Sequence, residues 1–197
     1  MKIKLDGKDF AFKLEDEHFI GEVLGKIEEA CKAEKCTVTQ VHINGKNIAP
    51  EELDTLFKKS ADEDITLELF TINGMEVKNM MKEMGKKFIK NAEEMESIPI
   101  KIQNGKDAEA VSLIENFTVN LHDFYSAVKL LDIADIPETE KFGEKTIPEY
   151  HKELFDMLNN ILAAIQNKDS VEISDIAEYE LSPLVKNLGN GLLSIEV

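Results

Sequence analysis

Two rhythms of apolar and polar positions divide this chain. Over residues 1–72 the repeat is two: Met1, Ile3 and Leu5 alternate with polar neighbours, the pattern breaks at Asp6-Gly7, and Phe10, Phe12 and Leu14 resume it. Alternation predicts two strands. Asp-Gly tolerates the positive φ of a tight turn, so it predicts a hairpin that puts all these apolar side chains on one face. Ile20, Val23, Leu24, Ile27 and Cys31 then recur at helical spacing, which predicts one helix covering that face. A second hairpin is predicted in "VTQVHINGKNI" around Asn44-Gly45, a short helical turn in "PEELDTLF" opened by Pro50, and a last strand through Ile65, Leu67 and Leu69.

From Gly74 the repeat lengthens to about 3.5 residues, which places a boundary at 71–74 and separates domains at 1–72 and 73–197. The first predicted helix, 75–96, opens with Asn73 and Glu76 in capping-box spacing and carries Val77, Met81, Met84 and Phe88. A second, 106–131, carries Ala110, Ile114, Phe117, Leu121, Phe124, Val128 and Leu131. A third, 147–167, is capped by Thr146 and Glu149 and shows Ile147, His151, Leu154, Leu158, Ile161 and Ile165. A fourth starts at Asp169 with Glu172 and runs through Ile173, Ala177, Leu181, Leu184 and Leu188. Such spacing, with a short turn between the last two, predicts an antiparallel four-helix bundle. Residues 132–145 read as a polar connection, and 97–105 as either an extended segment or a helix end broken by Pro99. Inside the fourth helix Pro183 removes a hydrogen bond and meets the Tyr179 carbonyl, at about 3 kcal/mol if uncompensated, so a bend is predicted there.

The order strand, strand, helix, strand, short strand, turn, strand over 1–72, with "LDGKDF" as the opening turn and "HINGKNI" and "DITLELF" as paired strands, resembles the β-grasp fold of the ubiquitin-like superfamily. The whole is then α+β, a ubiquitin-like β-grasp domain followed by a four-helix bundle. The resemblance implies a docking module. A ubiquitin-type modifier ends in a free Gly-Gly carboxylate, whereas this chain continues for 125 residues, so activation and transfer chemistry is not expected. The "YELSP" segment within 165–190 resembles a helical stretch of uncharacterised bacterial proteins and implies no activity.

Charge narrows the function classes. Thirty-nine acids face twenty-three lysines, the formal charge is −16, and there is no Arg. Without the guanidinium fork or a strongly basic stripe, nucleic acid is not an expected partner. Cys31 and Cys36 lack both the Cys-x-x-Cys spacing of a redox motif and the further ligands of a zinc site, and read as reduced, small apolar residues. No apolar run reaches the roughly 18 residues of a membrane span, and "MKIKLDGKDF" lacks the core of a secretion signal. Membrane insertion is therefore not expected, and a cytoplasmic location is.

Two sets of residues carry the functional expectation. "MEVKNMMKEMGKKFIKNAEEM" holds five of the seven methionines, and Met80, Met81, Met84, Lys82, Lys86 and Phe88 offer an adaptable, locally basic face for an apolar segment of a protein partner. Glu180 and His151, read as core-facing, and Tyr125 form the alternative, a small enzyme or ligand-binding bundle. An idealised bundle holds Glu180 and His151 about 9 Å apart along the axis, beyond hydrogen-bond reach. The reading is a non-catalytic interaction or adaptor protein that docks through a sheet edge or the methionine helix, with no catalytic residue, metal or cofactor expected. Homo-oligomerisation is left open.

Overall fold

Both predicted hairpin turns form, for the backbone reason that marked them. In the computed structural model, which describes residues 1–13, 15–61 and 64–197, Asp6 and Gly7 take φ of 50° and 77° between β1 (Lys2–Leu5) and β2 (Lys8–Asp9). Asn44 and Gly45, at 51° and 82°, do the same between β3 (Cys36–Ile43) and β4 (Lys46–Asn47). Two successive left-handed residues make the turn whose twist matches paired strands. β2 is shorter than predicted: Phe10 and Phe12 lie beyond it, and Leu14 lies outside the described residues. With β5 (Thr66–Asn73), the sheet runs β2-β1-β5-β3-β4. β1 and β5 are parallel and the other pairs antiparallel.

The chain is thus mixed α+β, with an N-terminal sheet followed by helices, and it divides into two units, Met1–Glu76 and Val77–Val197. In the first unit α1 (Ile20–Ala33) buries the five residues that its spacing marked, against Ile3, Leu67 and Leu69. Each such side chain contributes about 1.5–3 kcal/mol by leaving water. Pro50 opens a 3-10 turn (Pro50–Glu52) that leads into α2 (Leu53–Phe57). Glu28 of α1 occupies the start of the β3 edge: it accepts the Val38 N–H at 3.0 Å and the Thr37 hydroxyl at 2.6 Å.

The second unit is built on long helices. α3 (Gly74–Glu96) has the predicted reciprocal cap, in which Asn73 accepts the Glu76 N–H at 3.0 Å and Glu76 accepts the Asn73 N–H at 2.9 Å. α4 (Ile98–Gln103) settles the open segment: Pro99 sits in its first turn, where the missing N–H costs nothing. α5 (Asp107–Val128) follows, then a 3-10 turn (Leu131–Ala134). The connection predicted as polar, 132–145, buries Ala134, Ile136 and Phe142, and forms a small hairpin, β6 (Lys141–Phe142) and β7 (Lys145–Thr146), turning at Gly143 with φ 73°. α6 (Ile147–Asn167) keeps its Thr146/Glu149 cap.

The last rod is α7 (Ser170–Asp175), a π-helical segment (Ile176–Leu181) and α8 (Ser182–Leu193). The wider π turns stand just ahead of Pro183, where an α-turn would drive the ring into the Tyr179 carbonyl.

Aromatic and glycine contacts join these helices. Phe88 of α3 meets Phe117 and Phe124 of α5 edge to face, at centroid distances of 6.0 and 5.2 Å. α3 and α8 touch backbone to backbone: a Cβ on Gly85 would lie 2.7 Å from the Gly189 carbonyl oxygen, and one on Gly189 2.9 Å from that of Gly85. Asn120 donates to the buried Asn91 at 2.9 Å, tying α5 to α3.

Candidate functional site

The methionine helix turns much of its proposed docking face inward. Met81 and Phe88 are 0% exposed, because Val77, Met81, Gly85, Phe88, Ala92 and Met95 form the buried stripe of α3. Both leave the candidate face and belong to the core. Met80, Met84 and Lys82 are half-buried on the flank, and Lys86 is exposed and paired with Glu83 at 2.5 Å.

The alternative set is also corrected. His151 is exposed, not core-facing. The buried residues of α6 are Ile147, Tyr150, Leu154, Ile161 and Ala164, a stripe rotated roughly 40° from the one predicted, at 100° per residue. Tyr150 draws the helix round: its hydroxyl donates to the Phe142 carbonyl at 2.7 Å and lies 3.2 Å from Asn187 Oδ1. Glu180 is exposed as well, because the π segment carries it away from the face that regular α-turns would give it. Tyr125 and His151 do come together, with ring centroids 4.8 Å apart at 86°, and His151 stacks on Phe155 at 6.4 Å. Burial pushes the Tyr125 phenol up to about 12.

What the rotation of α6 leaves behind is a second apolar seam. His151, Phe155, Leu158, Leu162 and Ile165 follow one another at spacings of four and three. Phe155 is 59% exposed and Leu162 53%. The seam's centre lies about 85° around the helix from the buried one. Together the two spread apolar side chains over about half the circumference, well beyond the roughly 100° that one buried face requires. Spacing alone does not separate this seam from the core, because His151, Leu158 and Ile165 also continue the stripe of Ile147, Leu154 and Ile161. The signal was present in Phe155 and Leu162, which fit a single-faced helix at neither position.

Other perturbed groups are explained locally. Glu17 is buried, and its pairing with Lys26, aided by the Glu15 N–H at 2.8 Å, holds its carboxyl down to about 2. Among the described residues no cluster of three or more His, Cys, Asp or Glu is placed to hold a metal ion, and no helix is long and apolar enough to cross a membrane.

Residues 1–73 match the family model described as the TP0873 N-terminal domain, and residues 79–191 match a domain of unknown function, DUF8042. The chain is 36% identical, over 197 residues, to an uncharacterised protein of Treponema pallidum (strain Nichols), an alignment that covers 100% of this chain and 98% of that protein. No solved structure matches. The second model spans more than half of the chain and the relative is similar from end to end, so this protein belongs to the DUF8042 family, with a segment similar to the TP0873 N-terminal domain ahead of it.

Proposed function

We propose that the protein is a non-catalytic interaction or adaptor protein, and that the exposed seam of α6 receives an amphipathic helix of a protein partner. We read the first unit as a ubiquitin-like β-grasp domain, a reading supported by the mixed five-stranded sheet with one helix on its core face. The second reads as an antiparallel four-helix bundle of α3, α5, α6 and the α7–π–α8 rod. Glu96 beside Ser182 and Gly85 beside Gly189 support opposed directions for α3 and α8.

The observation that carries the proposal is the four-and-three spacing of His151, Phe155, Leu158 and Leu162, a seam about 17 Å long on the 21-residue α6. A helix is the shape that fills such a seam, since its own a and d positions repeat at the same interval. The formal charge of −16 repels a second copy and favours basic flanks on the partner. The sheet edges offer less: β2 and β4 are two residues each, and Glu28 occupies the Val38 amide on β3.

The test is binding of model amphipathic helical peptides, one lysine-flanked and one glutamate-flanked, to the full chain and to a Phe155→Glu/Leu162→Glu variant. The expected result is salt-sensitive binding of the basic peptide, weakened at least tenfold in the variant. Equal binding to both proteins, or dimerisation of the wild type through the same residues, overturns the proposal.

A further inference from the structure

The connection between α1 and β3 brings the two thiols of the chain together. Cys31 is the last buried residue of α1, and Cys36 is the first residue of β3. Lys35 turns the chain between them with a φ of 56°. The Cys36 thiol donates to the Cys31 carbonyl at 3.2 Å, and the two thiols also interact side chain to side chain. Both are free. Their surroundings differ: Cys31 is 5% exposed, and burial, followed by its neighbour Cys36, pushes its thiol up to about 12. Cys36 is only half-buried and lies within reach of a small solute.

We propose that Cys31 and Cys36 are a reversible dithiol clamp, closed to an intramolecular disulfide by a hydroperoxide and reopened by a thiol reductant. The inference stands apart from the docking proposal. Cys36 Sγ, as thiolate, attacks the terminal oxygen of the hydroperoxide. The O–O bond breaks, an alcohol or water departs with the thiol proton, and Cys36 becomes a sulfenic acid. Cys31 Sγ then attacks the Cys36 sulfur and displaces hydroxide, which leaves as water with the Cys31 proton. Two thiols and one hydroperoxide thus yield one disulfide, one alcohol or water, and one further water. Access and order are set by burial: the half-buried thiol meets the oxidant and the fully buried one resolves it. Closing the bond asks the Cys36 thiol to turn from the Cys31 carbonyl onto the Cys31 sulfur, with which it already interacts. The product ties the end of a core helix to the start of β3, which pairs with β5 along nearly its whole length.

The experiment treats the full chain with stoichiometric hydrogen peroxide, blocks remaining thiols under unfolding conditions, and maps peptides without reduction. The expected product is a monomer in which a peptide pair carries a Cys31–Cys36 bond, no thiol is blocked, and dithiothreitol restores both. In Cys31→Ala the same treatment gives no internal bond, and a sulfenic acid trappable by dimedone accumulates at Cys36. The proposal is overturned if wild-type Cys31 remains available to the blocking reagent while Cys36 is overoxidised or bonded to a second chain. It is equally overturned if the Cys31→Ala chain accumulates no dimedone-trappable sulfenic acid at Cys36.

Discussion

At Tyr125 a hydroxyl is buried beside the His151 ring with no hydrogen-bond partner among the described residues. Leaving such a group unpaired costs about 1–3 kcal/mol. Tyr125→Phe is therefore expected to keep or raise stability, by about 1 kcal/mol, in urea denaturation at pH 7. The phenol is raised from its ordinary 10 to about 12 by burial, so the folded state holds its proton longer than the unfolded chain. Stability tied to it is complete below pH 10 and is lost as pH rises through about 12. Tyr125→Phe should lose less stability than wild type across that window, and a parallel decline of both proteins would show that Tyr125 does not titrate as described. The neighbouring Tyr150 shows how far single residues can be read in advance. Its burial beside exposed His151 follows from a bond to the Phe142 carbonyl, made by a hairpin that the sequence alone suggested was plain connection.

Elements were legible where their cause is local. The Asp6-Gly7 and Asn44-Gly45 turns and the caps at Asn73, Thr146 and Asp169 depend on residues three or fewer apart, and each forms. Elements that depend on distant partners were not. The 141–146 hairpin is held by Tyr150 and by the α8 backbone at Gly191, and Pro99 lies in the first turn of a helix where spacing left an extended segment or a broken helix end open. The Asn91–Asn120 bond between α3 and α5 belongs to this second kind, and it predicts non-additivity. Asn120→Leu strands the side-chain oxygen of buried Asn91, while its amide nitrogen keeps Glu94 at 3.4 Å, and should cost about 1–3 kcal/mol. Converting both positions to Leu should recover much of that loss, because the buried Asn91 position then holds no unpaired polar group. A double-mutant cycle by denaturant unfolding measures the coupling, and additive losses would contradict it.

For the whole molecule, the change of period lies at 71–74 and the two units of the fold meet at Glu76 and Val77. The candidate surface was less legible, since which of two interleaved seams on α6 is buried depends on the partners of Tyr150 and not on spacing. The net charge of −16 was plain from composition and has its own consequence. Like charges crowd on folding, and salt above about 0.1 M screens them over roughly 10 Å. The melting temperature should rise between low salt and about 0.5 M sodium chloride. A fall would mean that ion pairs such as Lys101–Glu109, at 3.0 Å, outweigh the general repulsion.

The meeting of Gly85 and Gly189 leaves no room for even a methyl group, so these two positions act as a pivot whose location neither helix can trade away. Side chains elsewhere along α3 and α8 are free to diverge, with compensating changes across the seam, while this point holds the two rods in step. Homologous chains that preserve the crossing should therefore show glycine at both places together, and a chain that has replaced one should have replaced its neighbour's geometry too.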